Sequence, residues 1–185
     1  MGQVIKSLFT KNSKKMQINL FMFGVLAPGK TTIINKFKNG KIVESNPTIG
    51  YIYEQIKYKD KRFDFKEASG GYRLYEIFKR LINDSDAIII AVDSSQLIYG
   101  FYENLLQSTL KSCLQELIQL KKEKIPILIL ANKTDKSQHS DEEIISYTSV
   151  NKYQDIAFFK LIRTNCFTGE GLLEALEWIY ENVQK

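Results

Sequence analysis

Nine residues, GVLAPGKTT over Gly24–Thr32, fit the pattern G-x-x-x-x-G-K-[ST]. A strand-like run, MQINLFMFG (Met16–Gly24), precedes them, and a helical pattern, KTTIINKFKNG, follows. In that context the backbone N–H groups of the loop and the helix N-terminus cradle phosphates. Lys30 is suited to neutralise β/γ-phosphate oxygens, and the Thr31 hydroxyl to ligate Mg²⁺. Gly24, Ala27, Gly29 and Thr32 complete the expected phosphate contacts. Pro28 is a departure: it lacks an N–H, so one loop donor is missing.

A second cluster points to the base. NKTD (Asn132–Asp135) has the form N-K-x-D and follows a buried apolar run. A carboxylate at Asp135 accepts two hydrogen bonds from the N1–H and 2-amino edge of guanine. Adenine has no such edge and would leave the carboxylate unpaired, which discriminates strongly. Asn132 and the Lys133 stem would frame the base. TNCFTGEG (Thr164–Gly171) supplies a third loop, where the backbone N–H of Cys166, with Phe167 beside it, would reach the guanine O6. Cys166 itself reads as a small buried residue, having no neighbouring histidine to activate it. NPTIG (Asn46–Gly50) offers the Thr48 hydroxyl to Mg²⁺ and its N–H to a γ-phosphate.

The elements that must position these residues alternate short apolar runs with helical patterns, as in an α/β domain on a mainly parallel sheet. After the first strand and a helix ending at Asn39-Gly40, YIYEQIKYKDKRFDF (Tyr51–Phe65) alternates as a hairpin turning near Asp60. DAIIIAVDSS and IPILILANKTD are buried strands. Between them Leu106, Leu110, Cys113, Leu114 and Leu117 recur at helical spacing. IAFFKLIRTN is the last strand, for a six-stranded sheet with one antiparallel strand and helices on both faces. In the closing helix Leu172, Leu173, Leu176, Ile179 and Val183 are expected to face one side, and Trp178 is a packing residue.

Composition sets limits. The 185 residues suit one folded domain, burying roughly 70% of the unfolded chain's surface. The expected division is an N-terminal amphipathic segment, 1–15, and a nucleotide-binding domain, 16–185. No apolar run approaches the ~18–20 residues of a membrane span. Two cysteines without a CxxC pair suggest a reducing compartment. The lone His139 reads as a loop residue. Net charge is +5, yet no acidic residue precedes Glu44 while eight lysines do. That asymmetry suits a solvated face or an anionic membrane surface. Nucleic acid is not expected, for want of a recognition motif.

The motifs together resemble those of the Arf family (ADP-ribosylation factor-like small GTPases) over essentially the whole chain. The residues that carry the resemblance are the initial MG, GKTT, PTIG, Gly70-Gly71, VDSS, ANKTD and GEGLLEALEWI. PTIG and the 16 residues before Glu67 match the family's switch I and interswitch in length. The resemblance implies a P-loop small GTPase fold, GTP or GDP with Mg²⁺ as ligands, and exchange of GDP for GTP. It also implies an interswitch hairpin that shifts register as the N-terminal helix is released towards a membrane. Gly2 is a candidate for myristoylation, although Lys6 stands where Ser or Thr is preferred. Val4, Ile5, Leu8 and Phe9 share one helical face that would insert at a bilayer surface or dock on a partner.

The segment EASGGYR (Glu67–Arg73) departs from the family pattern. Without gaps from PTIG, Glu67 takes the place of the magnesium-associated aspartate and Gly71 that of the water-positioning glutamine. With a one-residue slip, Ala68 and Tyr72 take those places. Either way the glutamine is gone, and with it the group that orients the attacking water. Gly70 keeps the N–H that senses a γ-phosphate. Leu26 stands where an acidic residue is usual, an apolar group that would hinder a partner's arginine. The expectation is a GTP-favouring Arf-like protein, slow or defective in hydrolysis, that recruits a protein effector through switches and interswitch. It would be cytoplasmic and peripheral to a membrane. The alternative is a catalytically dead structural subunit, a pseudoGTPase in a larger assembly of mitochondrial or other organellar location, with or without trapped nucleotide.

Overall fold

The computed structural model describes residues 17–40, 51–68, 81–120 and 124–183. Six strands form one sheet: β1 (Gln17–Phe23), β2 (Tyr51–Tyr58), β3 (Lys61–Ala68), β4 (Ala87–Asp93), β5 (Ile125–Asn132) and β6 (Ala157–Thr164). Their order is β2-β3-β1-β4-β5-β6. Every neighbouring pair is parallel except the β2–β3 hairpin. Among the described residues, helices run over Lys30–Asn39 (α1), Phe101–Leu120 (α2), Asp141–Thr148 (α3) and Leu172–Asn182 (α4).

Alternation along the strands divides the interior in two. Ile18, Leu20 and Met22 of β1 join Phe63 and Phe65 of β3 on one face, under Ile33 and Ile34 of α1 and Ala175 and Ile179 of α4. Phe21 and Phe23 turn the other way, with Ile88 and Ile90 of β4, beneath Leu106, Leu110, Cys113, Leu114 and Leu117 of α2. β4 and β5 are buried along their full length, which is why they read as unbroken apolar runs. The expected helix stop is present: Gly40 takes φ 63° and donates its N–H to the Lys36 carbonyl. One expectation fails. Leu173 is 64% exposed, while its neighbour Leu172 is buried together with Ala175, Leu176 and Ile179. Adjacent helical residues lie about 100° apart, so both leucines could not share the core face. Val183 packs partly buried against the same core.

The hairpin is fixed at its turn to α4. Tyr58 Oη and Lys59 Nζ both donate to the Glu177 carboxylate. Tyr180 Oη donates to Asp60 at 2.8 Å, and the ammonium groups of Lys59 and Lys61 lie 4.7 and 4.8 Å from the Tyr180 ring centroid. On the opposite face of the hairpin Asp64 is buried, accepting from Gln17 Nε2 at 2.7 Å and Arg62 Nε at 2.8 Å, and from the Tyr53 hydroxyl. No helix among the described residues is long and apolar enough to cross a membrane.

Candidate functional site

Three connections meet at the C-terminal ends of β1, β5 and β6, the end of a parallel sheet where ligands commonly bind. The first is the β1–α1 loop. Leu26 and Ala27 there have φ 55° and 48°, left-handed values that cost a non-glycine residue about 1–2 kcal/mol each. Such strain collects at functional loops. Gly29, at φ 90°, could not be replaced: an added Cβ would stand 2.5 Å from Asn132 Nδ2. Pro28, whose missing N–H weakened the expected donor set, has its carbonyl used by Asn132.

Lys30 is buried, and its ammonium donates to the Gly24 carbonyl at 3.1 Å. Burial lowers its pKa from the ordinary lysine value, and the Glu67 carboxylate opposes that shift. Glu67 is 1% exposed. Its Oε1 lies 4.0 Å from Lys30 Nζ, and its two oxygens accept from the Thr31 hydroxyl at 2.9 and 2.8 Å. A hydroxyl and a carboxylate so placed are hard oxygen donors of the kind Mg²⁺ takes, so these residues fit that ion. Thr32 is half-buried in the first turn of α1, and Ala27 is exposed.

The second connection follows β5. Asn132 is fully buried, and its side chain braces all three loops. Nδ2 donates to the Pro28 carbonyl at 2.8 Å, while Oδ1 accepts from the Cys166 N–H at 3.2 Å and the Thr164 hydroxyl at 3.4 Å. Its backbone carbonyl accepts from Ser94 twice, tying in the end of β4. Lys133 stands at φ 67° with its ammonium on the Asp93 carboxylate. Asp135 is exposed on the short 3₁₀ turn Thr134–Lys136. His139 is half-buried, 3.7 Å from Glu143.

The third connection, between β6 and α4, presents Cys166 and Phe167. Cys166 is buried and Phe167 is 61% exposed. The loop's turn is organised by Asn165, whose Oδ1 accepts from the Phe167 N–H at 2.9 Å and the Thr168 N–H at 3.3 Å. Its Nδ2 donates to Asp135 Oδ1 at 3.1 Å.

Gly24, Ala27, Gly29, Lys30, Thr31, Thr32, Lys133, Asp135, Cys166 and Phe167 therefore all stand on these three loops or at the start of α1, and Asn132 is the last residue of β5. Gly2, Thr48, Gly70, Gly71 and Tyr72 lie outside the described residues. Sequence reasoning assigned no role to Asn165, Asp93 or Ser94. VDSS and TNCFTGEG were visible as motifs, but those side chains act through partners 30 to 40 residues away.

The model of the ADP-ribosylation factor family matches residues 1–183. Among solved structures, the chain is similar to the Arl6 BBS3 small GTPase from Trypanosoma brucei with bound nucleotide analogue GppNp. The TM-score is 0.71 at 23% identity, over 90% of this chain and 97% of that one. At that identity the likeness speaks for the fold, which is the P-loop small GTPase fold expected from the sequence.

Proposed function

Because the chain belongs to the ADP-ribosylation factor family of GTP-binding proteins, we propose that it is a GTP-favouring member with slow or lost hydrolysis. It works by recruiting a protein partner. In this reading residues 16–185 are the nucleotide domain. Gly24, Ala27, Gly29, Lys30, Thr31 and Thr32 take the phosphates, with Thr48 and Gly70 at the γ-phosphate. Asn132, Lys133, Asp135, Cys166 and Phe167 take the guanine. Thr31 and Thr48 would hold Mg²⁺, which when bound neutralises charge on the phosphate oxygens.

One observation carries the reading of the chemistry: the buried Glu67 carboxylate sits on the Thr31 hydroxyl. That is where a magnesium-associated carboxylate belongs, so it supports the ungapped pairing of EASGGYR. Under that pairing Gly71 takes the place of the water-positioning glutamine, and glycine has no side chain to hold a water. The Glu67 and Lys30 groups needed for binding remain, while the group needed for turnover is replaced.

Partner recruitment draws support from the hairpin, where Tyr51 and Tyr53 are 54% and 46% exposed. Exposed tyrosines are frequent anchors of interfaces. The N-terminal segment 1–15, with Gly2 as a candidate acylation site, would add a peripheral contact with a cytoplasmic membrane face. A second reading has its own support. Ile98, Tyr99 and Phe101 form a further exposed apolar group, at the start of α2. Such a surface suits a pseudoGTPase subunit buried in a larger organellar assembly.

The test is single-turnover hydrolysis of preloaded GTP with Mg²⁺ by the wild-type chain and by Gly71→Gln. Wild-type GTP that persists for hours, with conversion accelerated about tenfold or more in the variant, supports the proposal. Brisk wild-type conversion to GDP would sink it. Labelled-nucleotide exchange separates the two readings: a switch releases its nucleotide, and a structural subunit retains it.

A further inference from the structure

The β1–α1 loop is shaped for an anion except at Pro28. Ala27 before it has φ 48° and Gly29 after it φ 90°, while the pyrrolidine ring fixes Pro28 at a negative φ. Backbone that alternates hand in this way turns successive N–H groups towards one side and makes a concavity for an anion. Pro28 stands in the middle of that run without an N–H. Its ring carbon takes the direction of the missing hydrogen, so an anion's oxygen meets a methylene in place of a donor.

The rest of the residue holds the loop together. Pro28 is buried, and a Cβ added to Gly24 would stand 3.0 Å from its Cγ. Its carbonyl accepts from Asn132 Nδ2 at 2.8 Å, which ties the loop to the end of β5. The loop is therefore braced for an anion yet one donor short. Hydrogen bonds to charged groups are among the stronger ones, and losing one shows chiefly in how fast a ligand leaves.

We infer that Pro28 makes the nucleotide site self-exchanging: the short donor set lets bound nucleotide leave unaided, so occupancy follows the supplied ratio of GTP to GDP and needs no exchange factor. The inference rests on the guanine-nucleotide reading above and goes beyond it to how the site is loaded. Combined with slow hydrolysis, loading by mass action keeps the chain in its GTP form wherever GTP is in excess.

Pro28→Ala is the test, because it moves stability and binding in opposite directions. Alanine restores the N–H and leaves the carbonyl in place for Asn132. It also gives up the ring's packing and loosens the unfolded chain, so the thermal midpoint of the nucleotide-free chain should fall. Release of a fluorescent GDP analogue into excess unlabelled GDP, with Mg²⁺ present, is followed for both chains. The expected result is release from wild type within minutes and release about tenfold slower from Pro28→Ala, with association unchanged. Because GDP is the probe, hydrolysis does not enter the readout. Pro28→Val, which restores the N–H and keeps apolar bulk, serves if the alanine variant does not fold. A folded variant that releases GDP at the wild-type rate or faster shows that the ring only shapes the loop, and overturns the inference. A wild-type chain that holds GDP for hours overturns it too, while leaving the guanine-binding reading intact. A wild-type chain that binds no guanine nucleotide overturns both.

Discussion

The two ends of the candidate site are built from different materials. At the base end, neutral amides do the holding: Asn132 and Asn165 cross-brace three loops with hydrogen bonds between 2.8 and 3.4 Å. At the phosphate end, charges satisfy one another. Lys30 rests on the Gly24 carbonyl near Glu67, and Glu67 takes the Thr31 hydroxyl. The base end is thus shaped in advance. The phosphate end is self-neutralised, and a phosphate that takes Lys30 must draw it away from a backbone carbonyl. Shape at one end and exchangeable charge at the other divide the labour between selecting the ligand and holding it.

The sharpest way to break that contrast is Asn132→Ala. It removes the partner of the Pro28 carbonyl and of the Cys166 N–H in a buried position, each worth about 1–3 kcal/mol. The expected outcome is a loss of about 2–4 kcal/mol in denaturant unfolding and a fall of roughly a hundredfold or more in GDP affinity. Loss of affinity with no loss of stability would mean that Asn132 touches ligand without bracing the loops.

Glu67→Ala probes the other end with a smaller effect. It leaves the Thr31 hydroxyl without its carboxylate acceptor and Lys30 without its charged neighbour. GTP affinity in Mg²⁺ should fall about tenfold, measured by equilibrium titration, with the GDP to inosine diphosphate ratio unmoved. A changed base preference would erase the division between the two ends.

The smallest effect is a control away from both ends. Tyr147, on α3, is buried, and burial pushes its pKa up to about 12, with Glu103 and Tyr99 adding to the shift. An unfolded tyrosine ionises near 10. The stability from keeping Tyr147 neutral is therefore full below pH ~10 and is lost as pH rises towards 12. Tyr147→Phe should flatten that alkaline decline in denaturation midpoints and leave nucleotide affinity unchanged at neutral pH.

Most of the architecture was legible because apolar periodicity records burial directly. DAIIIAVDSS and IPILILANKTD are unbroken apolar runs and became the strands buried on both faces. The hairpin read from Tyr51 to Phe65 is present, extended to Ala68, and it turns at Lys59-Asp60. Leu173 was misjudged because a window of leucines does not say which of two adjacent residues the first helical turn buries. The motif residues could be read as a local code, loop by loop. Asn165 could not, since its task is set by Asp135, 30 positions earlier, and that pairing exists only once β5 and β6 lie side by side. The placement of Glu67 against Thr31 was likewise invisible in EASGGYR, where two alignments fit equally well.

The clamp between the hairpin turn and α4 has a geometric consequence. Strand β3 carries Lys61 at one end and Glu67 near the other, about 20 Å apart at the usual rise per residue. Both ends are fastened, one through Asp60 and Lys59 to the C-terminal helix, the other to Thr31. The strand behaves as a tie-rod between them. Its anchorage at the far end is not part of any loop that meets the ligand but the last helix of the domain, while the β1 and β2 ladders on either side hold its register from Lys61 to Glu67.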